Sequence, residues 1–193
     1  ETNPDVAQAG INPLYHYITI GQMAKYKISR EDNSTNIFDI KETLDTIIQS
    51  SNQDIIVLIT HDMSRSGAPL LLLNIAGELN EQHNKKIILI SVMAGELCSD
   101  FEQFCHVVCL KQAHLNFLES SNQVDALFYS LFDHSISNVL ASTIGSCLFV
   151  PFLEKYGFNY HILVHELLDV INRMNWTDMV KRNLPLITNG KLI

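Results

Sequence analysis

Apolar residues arrive along this chain in two rhythms: short unbroken runs, and longer stretches with a helical period. From residue 54 onward the two alternate. The runs at 54–60, 86–92 and 105–110 are rich in Ile, Val, Leu and Cys, and they predict parallel strands buried on both faces, which need no polar alternation. Residues 136–142 and 159–164 predict two more. Between the runs, apolar residues recur at helical spacing over 68–82, 96–104, 117–132, 146–156 and 166–182. The stretch Leu184-Pro185-Leu186-Ile187 is expected to begin a further strand. Alternation of this kind builds right-handed βαβ units and an α/β, doubly wound parallel sheet.

Ahead of that block the pattern changes. Asn3-Pro4-Asp5 and Asn12-Pro13 are turn and helix-start signals, and Leu14, Tyr17 and Ile18 line one face of a short helix ending near Gly21. Residues 29–36 (SREDNSTN) are polar throughout and read as a linker. Phe38, Leu44, Ile47 and Ile48 then place a helix over 37–51, packed on the main domain. The expected organisation is an N-terminal helical segment and linker over 1–36, followed by the α/β domain over 37–193.

Composition narrows the function classes. A hydrophobic content of 47% against 18% charged residues is that of a chain with a core. The net charge of −8, with Lys85-Lys86 and Lys181-Arg182 the only adjacent basic pairs, argues against nucleic acid, because phosphate backbones call for a basic patch. No apolar run is long enough to cross a bilayer, and the N-terminus has neither a basic region nor an apolar signal core. The expected location is the cytoplasm.

Cys98, Cys105, Cys109 and Cys147 contain no CxxC pair. Cys105 and Cys109 flank His106, but Cys105-His-Val-Val-Cys-Leu reads as a strand, on which residues four apart lie too far apart for one zinc ion. Free thiols in a reducing compartment are the expectation, with no metal.

The richest chemistry lies in residues 54–82. The run Ile55 to Ile59 stops at the polar loop Thr60 to Ser66, which passes through Gly67-Ala68-Pro69 into an amphipathic helix. This is a strand, a loop at the strand's carboxyl end, and a helix N-terminus aimed at that edge. Ligands bind at that edge in open parallel sheets, and a helix N-terminus offers an anion free N–H groups and positive partial charge. Gly67 either lets backbone N–H groups approach a phosphate or merely serves a tight turn. Pro69 is tolerated in the first turn. His61 and Asp62 either orient a substrate hydroxyl or fix the loop, and Arg65 either holds an anion or is solvated. His165-Glu166 ends the run Tyr160 to Val164 at the same edge. Its histidine either hydrogen-bonds a bound sugar or phosphate or is structural, while Glu166 suits a helix start. There is no GxGxxG, Walker, HExxH or GxSxG motif.

Together these residues resemble the N-terminal domain of family-4, two-Rossmann (GT-B) glycosyltransferases. The likeness rests on His61-Asp-Met-Ser-Arg-Ser-Gly-Ala-Pro with Leu71, Leu72 and Asn74, on Gly95 after the second strand, and on Val164-His165-Glu166-Leu167. It covers roughly residues 54–193. Relatives often carry Asn-Thr or Asn-Ser after the fourth strand, where this chain has Ala141-Ser142-Thr143. Residues 1–30, containing Asn3-Pro-Asp-Val-Ala and Asn12-Pro-Leu-Tyr-His-Tyr, resemble a short module found ahead of some bacterial glycosyltransferases.

The resemblance implies a Rossmann-like sheet forming one half of a GT-B fold. It sets Gly67 and Ala68 by the donor diphosphate, His165 as the catalytic-site residue near the transferred sugar, and His61, Asp62, Arg65 and Glu166 on the substrate side. It implies sugar transfer from a nucleotide-sugar co-substrate to a glycan or other acceptor, with retention of configuration and no further cofactor, in bacterial polysaccharide biosynthesis. It allows peripheral membrane association. A C-terminal Rossmann domain with a glutamate pair would hold the nucleotide, and the expectation is that this chain lacks that domain and is inactive alone. The rival readings are a non-catalytic ligand-binding module, since fold alone implies no activity, and a flavodoxin-like nucleotide or flavin binder. The second would want a phosphate loop richer in Ser, Thr and Gly than Thr60 to Gly67.

Overall fold

Five parallel strands stand where the apolar runs predict them: β1 (Ile55–Thr60), β2 (Lys86–Ser91), β3 (Cys105–Cys109), β4 (Asn138–Ser142) and β5 (Asn159–Leu163). The computed structural model describes residues 44–51, 53–110, 121–165 and 177–183. All belong to the larger of two units into which the chain divides, Thr35–Ile193, the other being Glu1–Ser34. The readings made for residues 1–36 and for 184–193 lie outside the described residues.

The strand order is β3-β2-β1-β4-β5 with every neighbouring pair parallel. This is the doubly wound, Rossmann-like arrangement. Side-chain alternation sends the two faces of each strand to different cores. On one face Val57, Ile59, Ile88 and Ile90 meet Leu44 and Ile48 of a helix covering residues 44–49 (α1), and Leu127, Phe128 and Leu131 of α4 (Ser121–Asp133). On the other, Leu58, Ile87 and Leu89 pack on Leu72 and Ala76 of α2 (Gly67–Glu81) and on Phe101 of α3 (Cys98–Phe101). Two-sided burial of the central strands explains why β1 and β2 read as unbroken apolar runs.

Local bonding sets the element boundaries. The helix expected over 96–104 is a single turn, α3, whose end tightens into i+3 bonds, the Gln103 and Phe104 N–H groups reaching the Asp100 and Phe101 carbonyls at 3.3 and 3.0 Å. The one expected over 146–156 enters as a 3₁₀ turn (Ile144–Phe149) and continues as α5 (Val150–Lys155), with Pro151 in its first turn lacking the N–H that an unbroken helix would need. β4 starts at Asn138 rather than 136 because Ser135, at φ +60°, and Ile136 close α4, the Ile136 N–H reaching the Leu131 carbonyl at 3.0 Å. A further helix, α6, spans Thr177–Asn183.

Among the described residues no helix is long and apolar enough to cross a membrane.

Candidate functional site

The connections from β1 and β2 lead toward one edge of the sheet, and β4 and β5 lie on the other side of β1. The chain therefore leaves the carboxyl ends of β1 and β4 in opposite directions, which opens the crevice where doubly wound sheets take ligands. Thr60 of β1 and Ser142 of β4 are register partners at its floor.

The loop after β1 is built around Asp62. Its Oδ1 accepts the Ser64 N–H at 2.9 Å and the Ser64 hydroxyl at 2.8 Å, while the His61 ring Nδ1 lies 3.3 Å from Oδ2. The Thr60 hydroxyl donates to the Asp62 carbonyl at 2.9 Å. Burial pushes the Asp62 carboxyl pKa up, but the hydrogen bonds from His61 and Ser64 outweigh it and hold the group below its ordinary value. Asp62 thus bonds within its own loop, to Ser64 and beside His61. His61 is partly buried against it.

Arg65 is engaged as well. Its N–H donates to Glu96 Oε2 at 3.0 Å, and its exposed guanidinium sits 3.3 Å from Asp100 Oδ2. An exposed pair of this kind is worth about 0–1 kcal/mol, so an arriving anion could take Arg65 from Asp100 at small cost.

Gly67 opens α2. Ser66 precedes it in extended backbone (φ −127°) without a side-chain cap, its hydroxyl lying instead 3.1 Å from that of Ser64. The helix therefore presents its first N–H groups, those of Gly67 and Ala68, without a capping side chain. A Cβ built on Gly67 meets nothing within 4 Å, and Gly67 is absent from the positive-φ residues. Neither backbone conformation nor packing within this domain requires glycine here.

Gly95 is the opposite case. A Cβ there would fall 2.1 Å from the Met63 carbonyl oxygen and 2.5 Å from the Ser64 nitrogen. The loop after β2 is pressed onto the loop after β1 and pinned by Met93 N–H to His61 O at 3.1 Å and by Leu97 N–H to Met63 O at 3.0 Å.

The end of β4 carries the features that the chain's patterning did not disclose. The hydroxyls of Ser142 and Thr143 are buried without a hydrogen-bond partner. Thr143 adopts φ +77°, ψ +149°. A β-branched residue rarely enters that region, at a cost on the order of 1–3 kcal/mol. Each orphaned buried hydroxyl costs roughly 1–3 kcal/mol more. The available signals were two adjacent hydroxyl residues at a strand's carboxyl end and the departure of Ala141-Ser142-Thr143 from the Asn-Thr or Asn-Ser of the family it resembles.

His165 lies exposed two residues beyond β5. β4 stands between β5 and β1, which separates the ends of those strands by about 9–10 Å across the sheet. The structure thus joins His61, Asp62, Arg65, Gly67 and Ala68 in one loop and helix start, with His165 at the same edge but apart from them. Glu166 lies outside the described residues. Among those described, no three His, Cys, Asp or Glu side chains group to hold a metal. Burial pushes the Cys105 thiol up to about 12, and none of Cys98, Cys105, Cys109 and Cys147 forms a disulfide.

Compared with known proteins, the chain matches no family model, and no curated protein or solved structure is significantly similar to it.

Proposed function

We propose that this domain is the acceptor-side half of a nucleotide-sugar-dependent, retaining glycosyltransferase, working with a second Rossmann domain that grips the nucleotide. The observation that carries the reading is Gly67: a glycine at an uncapped helix start, facing open space that its own domain gives it no reason to keep. A diphosphate needs that space. The Gly67 and Ala68 N–H groups and the α2 dipole would stabilise negative charge on the departing diphosphate, the preorganised electrostatics that dominate such steps. Arg65 can join them by leaving Asp100. His165 would hydrogen-bond the transferred sugar from the β5 side, and His61 would meet the acceptor above Asp62.

The sequence likeness and the strand order support the same reading. Bacterial polysaccharide assembly in the cytoplasm, with the acceptor in solution or at a membrane surface, is the setting it implies. No cofactor beyond the sugar donor is called for. A non-catalytic binding module is the second reading, favoured by the engagement of Asp62 with Ser64 and of Arg65 with Asp100.

The test pairs product formation with saturation-transfer NMR on the 193-residue chain, using uridine, guanosine and thymidine diphosphate sugars and a set of oligosaccharide acceptors. The proposal expects saturation transfer to nucleotide sugars and to at least one oligosaccharide, and no product from the chain alone. Robust turnover by the chain alone would contradict the half-enzyme reading. Absence of transfer to every nucleotide sugar would contradict the glycosyltransferase reading itself.

A further inference from the structure

A row of hydroxyl residues crosses the carboxyl edge of the sheet, Ser91 of β2, Thr60 of β1 and Ser142 of β4 being register partners in turn. Two of them do the same thing. Thr60 Oγ1 donates to the Asp62 carbonyl at 2.9 Å, and Ser91 Oγ donates to the Met93 carbonyl at 2.7 Å. Each hydroxyl thereby closes the turn that follows its own strand.

Ser142 occupies the third place and closes nothing. It is 1% exposed, and its hydroxyl has no partner. The backbone beside it is otherwise satisfied: the Ser142 carbonyl accepts the Ser146 hydroxyl at 2.6 Å, the Thr143 N–H donates to the Leu163 carbonyl at 2.9 Å, and the Thr143 carbonyl accepts the Ser146 N–H at 3.1 Å. The chain departs differently here because Thr143 takes φ +77°. Thr143, 8% exposed, brings a second hydroxyl that is also unpartnered. Strand alternation puts Ser142 on the same sheet face as Leu140, which packs in the core under α2. That is the face whose carboxyl edge α2 begins from.

Buried polar groups are ordinarily paired, and backbone strain in a residue unsuited to it gathers at ligand clamps. Two orphaned hydroxyls and a strained threonine at the switch point satisfy both descriptions. We infer that the Ser142 and Thr143 hydroxyls form a subsite for the hydroxyl groups of a neutral saccharide. A serine or threonine hydroxyl donates and accepts, and so does a sugar hydroxyl, so each can complete the other. Both oxygens are closed off in the present arrangement, so the sugar enters as the turn after β4 yields, which the strain at Thr143 favours. The subsite adds an acceptor-side contact to the glycosyltransferase reading and rests on that reading for its place in the reaction.

The experiment is an amide-resolved NMR titration of the ¹⁵N-labelled 193-residue chain with methyl α-glucoside, N-acetylglucosamine and inorganic phosphate, repeated on Ser142→Ala and Thr143→Val. At least one saccharide should shift the Ser142 and Thr143 amides, with affinity at least about tenfold weaker in each variant, the loss expected from one missing hydrogen bond. Both variants should melt at or above the wild-type temperature, because each removes an unpaired buried group. Shifts with phosphate only, no saccharide shift, unchanged saccharide affinity in both variants, or a clear drop in melting temperature for both would each overturn the subsite. Uridine diphosphate provides the separating arm. Shifts at Gly67 and Ala68 with none from saccharide at Ser142 would fail the subsite and leave the glycosyltransferase reading standing, and the reverse pattern would do the opposite.

Discussion

Gly95 and Met63, on the loops after β2 and β1, are in backbone contact so close that a Cβ on Gly95 would lie 2.1 Å from the Met63 carbonyl oxygen. The loop bearing His61, Asp62 and Arg65 is held from below by this contact, and neither partner can move aside without breaking the Leu97 N–H bond to Met63. Gly95→Ala should therefore destabilise the domain by about 3 kcal/mol or more, as overpacking against rigid backbone does. That corresponds to a fall of roughly 6–12 °C in Tm for a domain of this size, measurable by calorimetry. A Tm unchanged from wild type would show that the loops are not locked together.

Gly67 tests the converse. Gly67→Val puts a branched side chain into open space on an exposed helix start, so the Tm should stay within about 2 °C of wild type. In an active two-domain enzyme carrying this domain, turnover should fall on the order of 10²-fold, comparable to removing an oxyanion-type donor. Full turnover in the folded variant would assign the glycine no role at the diphosphate.

Acid sensitivity should trace to Asp62, whose carboxyl is held below its ordinary value in the fold. A depressed folded pKa stabilises the protein above the unfolded value, about 3.9, and that contribution is lost as pH falls through the folded value. Asp62→Asn removes the titrating group while its side-chain oxygen can still accept from Ser64. The variant should lose less stability than wild type between neutral pH and the acid range, followed by urea unfolding at stepped pH. Parallel curves would contradict the role given to this carboxylate.

His165 is exposed beyond β5, so His165→Ala should move the Tm by no more than about 2 °C. Loss of one transition-state hydrogen bond to the sugar would lower turnover about tenfold, equivalent to ~1.4 kcal/mol. A large loss of Tm with turnover intact would remove His165 from the site.

The sequence disclosed what repeats and hid what closes at long range. β1 and β2 were legible because strands covered on both faces must be apolar throughout, and Lys86–Ser91 is covered in that way from Ile87 onward. The one-turn α3 was not, since the Leu97 N–H bond to the Met63 carbonyl that anchors its start joins separate loops. Asp62 followed by Ser64 is a local loop-fixing signal, whereas the Arg65 partner Asp100 lies 35 residues away. Nothing in Ser142-Thr143-Ile144 calls for positive φ. The significance of Ser142 emerges only when register sets it beside Thr60 and Ser91.

The central claim, that the β1 edge with the start of α2 receives a diphosphate, is tested most directly by mapping where uridine diphosphate and inorganic pyrophosphate land on the ¹⁵N-labelled chain. The account predicts that the Gly67 and Ala68 amides shift most in wild type, followed by the Arg65 side chain as it leaves Asp100, and that Gly67→Val abolishes these shifts while the rest of the spectrum stays in place. Shifts confined to other parts of the domain, or none at millimolar ligand, would contradict it.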